Sequence, residues 1–323
     1  MRPKISVFSP CPILTVTIEG EGDDVSLHLH AGGQGVWVAR MAEVLGAEVT
    51  LCTSIGGETG QVIRTLLDAS SINVVASHAA GASPAYVHQR GDGDREQLAA
   101  TAAAPLSRHE ADELYNIAIA EGLSSEVMVL TGQNDFHSVP PEMYRRLCDD
   151  LDSAGTRLVA DLSGEELDAV RNVEILKVAH DALMEHGDSA TGDADEIALI
   201  LQEFGEGKAR NAVVSRAERP AIALFDGELL EVTPPSFEPI DHRGAGDSMT
   251  AALAVGLASG LGTEATLQLA AAAGAANAIR HGLGSGHRES IEKIAKAVTV
   301  KRLPMPEGRS KPGAATSDVR GPG

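Results

Sequence analysis

The sequence predicts an α/β fold in which a largely parallel sheet is covered by helices on both faces. Segments with strand-like and helix-like patterns alternate along most of the chain, and this alternation is typical of parallel strands joined by helices. Two short segments, residues 25–30 and 84–89, alternate apolar and polar side chains outside this rhythm. They favour a small separate sheet of half-exposed strands.

The strands of the main sheet are predicted from short apolar runs bounded by turn residues. These runs are residues 5–8, 49–52, 127–130, 158–160 and 212–215. Residues 221–225 and 229–232 flank Asp226-Gly227, which is a strong signal for a tight turn. We therefore expect the last two segments to pair as a hairpin.

The helices are predicted from apolar residues that recur at helical spacing. Between Val38 and Leu45 these residues follow the i, i+3, i+4, i+7 pattern, which indicates an amphipathic helix over residues 36–45. Gly46 follows directly and is expected to end this helix. The other predicted helices are residues 62–69, 110–120, 141–154, 195–204, 247–258, 263–279 and 288–298.

Composition and charge exclude several classes of function. The chain has 323 residues, enough for one large domain with a buried core. Aromatic residues are only 3%, so this core is expected to consist of small and aliphatic side chains. The formal net charge of -20 disfavours nucleic acid and anionic membrane surfaces as partners. A bound anion must therefore be held locally, by backbone amides, a few cations or a metal ion.

Three scattered cysteines are too few for a disulfide framework or a zinc knuckle, which predicts a reducing, cytoplasmic environment. No apolar stretch reaches the roughly 18 residues of a membrane span, and the N-terminus lacks the apolar run of a signal peptide. From residue 304 onward the chain is rich in Pro, Gly and Ser. We expect the folded domain to occupy residues 1–303 and residues 304–323 to be a disordered tail.

The sharpest local feature is the turn Gly244-Ala245-Gly246, which stands directly before a predicted helix that opens at Asp247. Glycines let the backbone approach a ligand closely, and the free amides and positive end of the helix then face that ligand. This pattern predicts an anion hole. Asp247 would repel a phosphate unless it takes the proton of an attacking hydroxyl, as a general base. The alternative is a glycine turn followed by an ordinary acidic residue of a first helical turn.

A second glycine-rich stretch spans residues 31–60. The pair Gly32-Gly33 precedes a predicted helix, and the pair Gly56-Gly57 follows the next predicted strand. The stretch matches neither the Walker A pattern nor GxGxxG. On their own, these glycines are equally consistent with structural turns and with ligand contacts.

Taken together, these stretches resemble the PfkB/ribokinase family of carbohydrate kinases, nearest its phosphofructokinase branch. The resemblance covers roughly residues 5–303 in order. It implies a ribokinase-like three-layer α/β/α sandwich with a mostly parallel central sheet and a small β lid, formed by residues near 12–30 and 81–98. Family members often dimerise through this lid, so a homodimer is expected. The matching segments are residues 32–40, 45–46, 56–60, 130–132, 161–165, 244–248 and 282–284.

The resemblance also implies ATP and Mg²⁺ as cofactors and a small sugar or sugar-like substrate. It implies Asp247 as catalytic base and residues 244–246 as the anion hole; the metal ligands stay unknown. The residues expected to bind the nucleotide are Lys177, Ser215, Arg216, Gly246, Gly274 and Gly282. Those expected to bind the substrate are Ser9, Gly32, Gly33, Gln34, Trp37, Thr131 and Asp247.

The sequence departs from the family on the substrate side. The N-P-A-x-D segment ends here in Ile13, so the carboxylate that normally grips sugar hydroxyls is absent. Trp37, the only tryptophan of the chain, replaces a sugar-binding asparagine. It is either a packing residue or an apolar wall of the substrate site. No residue clearly matches the lid arginine of the branch, for which Arg90 and Arg95 are nearby candidates.

It departs on the nucleotide side as well. The family's K-P-N-x-x-E segment has Ala179 and Ala182 at its two polar positions. Two neighbouring residues, His180 and Asp181, could partly substitute for the missing polar side chains. The S-x-G-x-x-G segment has lost both glycines at residues 215–220, where arginines could either neutralise phosphates or lie solvated at the surface.

The residues expected at the catalytic centre match the family, whereas several residues expected to bind the substrate and the nucleotide differ from it. Two functions are consistent with this combination. The protein is either a kinase for a less hydroxylated or more apolar alcohol, or a catalytically weak ligand-binding regulator on a kinase scaffold. Retention of Asp247 favours the kinase, because a pure binder needs no base at a phosphate site. A dehydrogenase is a weaker alternative, since GxGxxG does not follow the first strand.

Overall fold

The computed structural model describes residues 2–20, 24–90, 95–133, 136–187, 191–237, 243–279, 284 and 286–306. Residues 307–323 of the predicted disordered tail lie outside the described residues, as does Gly282. Within the described ranges, no helix combines the length and apolar character that a membrane span requires.

The described residues form strands that belong to two sheets. In chain order they are β1 (Lys4–Ser9), β2 (Ile13–Glu19), β3 (Ser26–Gly32), β4 (Glu48–Gly56), β5 (Asn73–Ala79), β6 (Ala85–Arg90), β7 (Arg95–Thr101), β8 (Val127–Thr131), β9 (Arg157–Asp161), β10 (Val173–Ala179), β11 (Ala209–Arg216), β12 (Arg219–Phe225), β13 (Glu228–Thr233) and β14 (Thr299–Arg302).

Helices connect most of these strands. They are α1 (Gln34–Val44), α2 (Gly57–Asp68), α3 (Arg108–Leu123), α4 (Pro141–Ser153), α5 (Gly164–Ala169), α6 (His180–His186), α7 (Ala194–Gly205), α8 (Ala245–Ala258), α9 (Thr263–Ala278) and α10 (Arg288–Ala295).

The larger sheet has ten strands in the order β14-β13-β12-β11-β10-β9-β8-β1-β4-β5. The seven strands from β11 to β5 pair in parallel, and β12, β13 and β14 extend the sheet in antiparallel fashion. Because parallel strands all end at the same edge, the residues that follow β1, β8, β9, β10 and β11 meet there. This edge carries the candidate site.

Successive strand residues point to opposite faces of this sheet, and each face has its own apolar core. Val127 and Val129 of β8 belong to one apolar core with residues of α1, α8 and α9, whereas Met128 and Leu130 belong to a second core with residues of α3 and α4. The strands are therefore apolar on both sides, which is typical of a parallel sheet covered by helices. The predicted three-layer arrangement is confirmed.

The smaller sheet has the order β3-β2-β6-β7 and corresponds to the predicted lid. Its strands span residues 13–32 and 85–101, close to the predicted 12–30 and 81–98. The strand predicted at 25–30 is confirmed as part of β3, but the expectation that it is half-exposed is wrong, because residues 26–30 are exposed on both faces. Leu27 and Leu29 are 62% and 43% exposed, and Leu98 of β7 is 49% exposed. The outer strands of the lid thus carry apolar side chains in solvent.

Several elements were not predicted from local pattern. Strand β10 is the most informative, because Glu174 and Lys177 interrupt its apolar run although Lys177 is almost fully buried. Strands β2, β5, β7 and β14 and helices α5 and α6 were also missed. Helix α2 begins at Gly57 rather than at residue 62, and α10 ends at Ala295 rather than at 298.

Candidate active site

The predicted anion hole lies at the N-terminus of α8. Gly244 caps this helix with φ 71°, a left-handed conformation that favours glycine. The helix begins at Ala245, two residues earlier than predicted, and its first backbone bond runs from the Ser248 amide to the Gly244 carbonyl at 2.9 Å. The amides of residues 245–247 therefore have no acceptor within the helix and can bind an anion.

Asp247 stands in this first turn and faces a cavity at the edge of the sheet. Burial raises the pKa of its carboxyl group from the ordinary range to about 7, and the negative charge of Asp161 acts in the same direction. The positive charge of Lys177 opposes this shift. A carboxylate with a pKa near neutrality can both accept and release a proton at neutral pH.

A buried charge network lies directly beneath the anion hole. Asp161 and Lys177 are register partners at the ends of β9 and β10, so their side chains point to the same face of the sheet. Lys177 Nζ lies 3.0 and 3.2 Å from the two carboxylate oxygens of Asp161, and both side chains are about nineteen-twentieths buried. Thr250 Oγ1, on α8, donates to the same carboxylate at 2.6 Å.

Gly246 brings this network into contact with the anion hole. A Cβ atom at position 246 would lie 2.7 Å from Lys177 Nζ, so a larger residue there would have to displace the ammonium group. The cation is therefore placed against the backbone that carries the open amides. It adds positive charge at the point where the helix N-terminus already favours an anion.

Gln34 ties the start of α1 to the ends of two strands. Its Nε2 donates to the Asp161 carbonyl at 3.1 Å, and its Oε1 accepts from the Gly132 amide at 2.7 Å. Both ends of this side-chain amide are thus engaged within the protein. Gly33, which caps α1 with φ 99°, provides the turn that places Gln34 there.

Two cavities meet at the turn of residues 244–247. One, here called the acceptor cavity, has a volume of about 390 Å³ and contains Asp247; the other, here called the nucleotide cavity, has about 320 Å³ and contains Gly246. Lys177 and Ala179 line both. The acceptor cavity is lined by Ile13, Gly33, Gln34, Trp37, Tyr86, Gly132, Asp161, Leu162, Ser163, Lys177, Ala179, Ala182, Arg243, Gly244 and Asp247.

The nucleotide cavity is a slot between α9 and the hairpin of β11 and β12. Gly274 and its neighbours on α9 have small side chains; a Cβ at Gly274 would lie 3.1 Å from the Ala245 carbonyl oxygen. Ser215, which the sequence predicts to bind the nucleotide, also lines this cavity. Arg216 lines it too, but its guanidinium donates to the carbonyls of Pro220 and Gly192, at 2.6 and 3.1 Å. It therefore holds loops together rather than reaching into the slot.

The structure gathers four of the predicted substrate residues, Gly33, Gln34, Trp37 and Asp247, in the acceptor cavity. The other three lie behind its surface. Ser9 is buried, Thr131 Oγ1 donates to the Phe8 carbonyl at 2.8 Å, and Gly32 packs against Trp37.

Sequence reasoning missed several residues of the site. Tyr86, Leu162 and Arg243 line the acceptor cavity, yet no role in the site was predicted for them. Asp161 stood within a matched motif, although no role was predicted for it. Thr250 gave no local signal, because its part in the network depends on the contact between α8 and β9.

The polar residues predicted as possible substitutes on the nucleotide and substrate sides differ in exposure. His180 and Asp181 both line the nucleotide cavity, where His180 is buried and the Asp181 side chain is 86% exposed. Arg90 forms an ion pair with Glu19 at 3.3 Å within the lid, and the Arg95 side chain lies outside the described residues.

The predicted Mg²⁺ finds no set of protein ligands in the described part of the chain. No group of three or more His, Cys, Asp or Glu side chains there could hold a metal ion. Asp161 is already engaged by Lys177 and Thr250, and the side chains of Ala179 and Ala182 carry no ligand atom. The described residues therefore do not fit a magnesium ion held by protein ligands alone.

An anion hole and an adjacent carboxylate, placed where two cavities join at the edge of a parallel sheet, define a phosphotransferase type of site. Residues 14–289 match the pfkB family carbohydrate kinase model, and the chain belongs to this family. The resemblance predicted from the sequence is thereby confirmed.

Relatives and solved structures agree with this assignment. The chain is 28% identical to ATP-dependent 6-phosphofructokinase isozyme 2 of Escherichia coli (strain K12), over 81% of this chain and 86% of that protein. A crystal structure of a mutant phosphofructokinase-2 from Escherichia coli superposes with a TM-score of 0.81 at 23% identity, covering 92% and 99% of the two chains. Arabidopsis thaliana ribokinase complexed with ribose and ATP has a TM-score of 0.71 at 18% identity, covering 92% and 99%. The predicted ribokinase-like fold class is confirmed.

The buried ion pair generates a first prediction, on stability. Lys177→Met leaves the Asp161 carboxylate buried without its cation and is expected to lower the free energy of unfolding by about 3–5 kcal/mol. Urea denaturation at pH 7 measures this change. The matched control is Arg302→Met, which removes a 2.8 Å ion pair with Glu228 whose arginine is 76% exposed, and should cost less than about 1 kcal/mol.

The double variant Lys177→Met/Asp161→Leu tests the physical reason for that loss. It removes both charges together and should recover much of the lost stability, since the Asp161 carboxylate is no longer buried without its cation. Equal losses for Lys177→Met and Arg302→Met would show that the Asp161–Lys177 pair contributes no more than a surface pair.

Proposed function

We propose that the protein transfers the γ-phosphoryl group of ATP to a hydroxyl group of a sugar or related small alcohol, with Asp247 as the general base. The observation that carries this proposal is the position of Asp247 at the junction of the two cavities, beside the open amides of α8. Membership of a family of carbohydrate kinases supports the reaction class.

In this reaction the nucleotide occupies the slot along α9, and its γ-phosphate lies against the amides of residues 245–247. The alcohol occupies the acceptor cavity with its hydroxyl next to Asp247. The hydroxyl oxygen forms a bond to the γ-phosphorus, its proton passes to Asp247, and the bond to the bridging oxygen breaks to leave ADP. The amides and Lys177 stabilise the charge on the transferred group.

ATP and Mg²⁺ remain part of the proposal as predicted. Mg²⁺ commonly keeps several waters and binds substrate phosphates through few protein ligands. This mode of coordination is compatible with a site in which the described residues supply no full set of metal ligands. The ion would enter with the ATP phosphates, and the lid would close over the acceptor cavity to exclude water.

Catalysis is favoured over the alternative of a weakly active ligand-binding regulator. The Escherichia coli relative and the structural neighbours described above are named as kinases, which supports turnover. The raised pKa of Asp247 also supports it, because a carboxyl group that titrates near pH 7 is suited to proton transfer. The cytoplasmic location stays a prediction from the sequence.

We further propose a homodimer that forms through the lid. The support is the row of apolar side chains on β3, where Leu27 and Leu29 are 62% and 43% exposed. Apolar side chains that cluster on one sheet in solvent mark a surface for association.

The role of Asp247 as base gives the second prediction. Asp247→Asn keeps the shape of the side chain but cannot accept the proton, so kcat should fall by about 10²–10⁴-fold in an ADP-release assay. The variant should remain folded, with an equal or higher Tm at pH 8, because it no longer buries a charge above the raised pKa. The control is Asp68→Asn on the exposed end of α2. Retention of more than a tenth of the activity contradicts the proposal.

The pKa of Asp247 gives the third prediction. The base must be deprotonated, so kcat/KM, which reports the pKa of the free enzyme, should rise as the pH increases through about 7 and level off above it. Asp161→Asn removes a negative charge that raises the pKa of Asp247, so the rising limb should move to lower pH. Rates measured from pH 5.5 to 9 for both proteins check this. If the rising part of the pH–rate curve stays at the same pH in Asp161→Asn and only the maximal rate falls, Asp161 does not act on the pKa of Asp247.

The lid surface gives the fourth prediction. Leu27→Glu/Leu29→Glu should shift the protein from dimer to monomer in sedimentation velocity, because four charges would meet across the interface. The control, Leu123→Glu, changes an apolar residue that is 55% exposed at the end of α3 and should leave the dimer intact. A monomeric wild type, or a double variant that stays dimeric, would refute the proposed interface.

A further inference from the structure

The acceptor cavity has one wall made of large apolar side chains, here called the acceptor wall: Ile13, Trp37 and Tyr86. Ile13 and Tyr86 belong to the paired lid strands β2 and β6, and Trp37 belongs to α1. Thr15 and Tyr86 are register partners, so Ile13, two residues before Thr15, shares their face of the lid. That face is turned toward the cavity that holds Asp247.

Aromatic residues are scarce in this protein, which makes their presence here informative. The chain has one Trp, three Tyr and five Phe, yet the single Trp and one Tyr line this cavity together. Two aromatic rings within one ligand cavity favour a planar apolar partner, which they can contact by stacking or edge-to-face packing.

The wall presents carbon rather than hydrogen-bonding groups. The indole nitrogen of Trp37 is buried and has no hydrogen-bond partner among the described residues. It packs against Gly32, where a Cβ would lie 3.2 Å from it, so the N–H is turned away from the cavity. The exposed part of the indole ring therefore consists of carbon atoms.

Two polar side chains of the cavity are also committed within the protein. Gln34 uses both ends of its amide, on the Asp161 carbonyl and the Gly132 amide. The Asp161 carboxylate accepts from Lys177 and Thr250. Hydroxyl groups of a polyhydroxylated molecule that face the acceptor wall, Gln34 or Asp161 would meet carbon or occupied partners, and each hydroxyl buried without a partner costs about tenfold or more in affinity.

We propose that the acceptor is a sugar or other small alcohol that carries a planar, largely apolar ring, and that this ring lies against the acceptor wall. A pentose bearing a heterocyclic base is a simple member of this class. The inference rests on the proposed phosphoryl transfer, and it adds the class of substrate. Ile13, Trp37 and Tyr86 are then residues that determine specificity, while Asp247 carries the chemistry.

Binding can be measured without turnover, because Trp37 is the only tryptophan and its emission reports on this cavity. The probes are matched pairs, thymidine with 2-deoxyribose and uridine with ribose, together with fructose 6-phosphate as a polyhydroxylated phosphate. We expect at least one ring-bearing probe to change the emission with a Kd at least tenfold below that of its ring-free partner and of fructose 6-phosphate. If neither ring-bearing probe binds better than its partner, the proposal is overturned.

Substitution of the wall tests where the preference arises. In ADP-release assays, Trp37→Asn should reduce the ratio of kcat/KM for the ring-bearing over the ring-free probe by about tenfold, with a smaller change in kcat. Trp37→Phe keeps an aromatic ring and should retain most of the preference. Ile13→Asn, which keeps the tryptophan, should weaken the emission response to the ring-bearing probe. An unchanged ratio in Trp37→Asn would remove the wall from substrate selection.

The two levels of the proposal fail in different ways. Phosphoryl transfer to the probes without any preference for a ring overturns the substrate class and leaves the kinase intact. A clear preference in Trp37 emission, with no ADP formed from any probe, upholds the ring site and counts against the proposed reaction.

Discussion

The ion pair between Asp161 and Lys177 is the interaction on which the site depends. It joins the ends of β9 and β10, it receives the Thr250 hydroxyl from α8, and it places an ammonium group against Gly246. A buried pair of this kind is costly to desolvate, and it is tolerated when additional hydrogen bonds complete it. Here those bonds connect the sheet to the helix whose N-terminus forms the anion hole.

The same pair sets the electrostatics of Asp247. Burial and the charge of Asp161 raise the pKa of Asp247 to about 7, while Lys177 limits that rise. The cation, the open amides and the base therefore lie within one small volume, in which an anion and a proton acceptor can coexist. In the proposed reaction, a phosphoryl group is stabilised on one side of the turn and a hydroxyl is deprotonated on the other.

The lid contributes apolar side chains rather than charged groups to the site. Its strands β2 and β6 supply Ile13 and Tyr86 to the acceptor cavity, and its outer strand β3 exposes apolar side chains to solvent. In the proposed reaction the residues around α8 carry out the phosphoryl transfer, whereas Ile13 and Tyr86 of the lid, together with Trp37 of α1, contact the acceptor. The charge network beneath α8 and the acceptor wall are thus formed by different residues.

The sequence alone determined the α/β class, the order of most strands and helices, and the turn of residues 244–247, because periodicity and glycine patterns are local properties. It also pointed to Trp37 and Ile13 as departures on the substrate side. Only the tertiary structure paired Lys177 with Asp161, since they are sixteen positions apart in the sequence and meet through the register of the parallel strands β9 and β10. Tyr86 reached the cavity in the same way, through the pairing of β2 with β6, and the pKa of Asp247 followed from burial that no local pattern encodes.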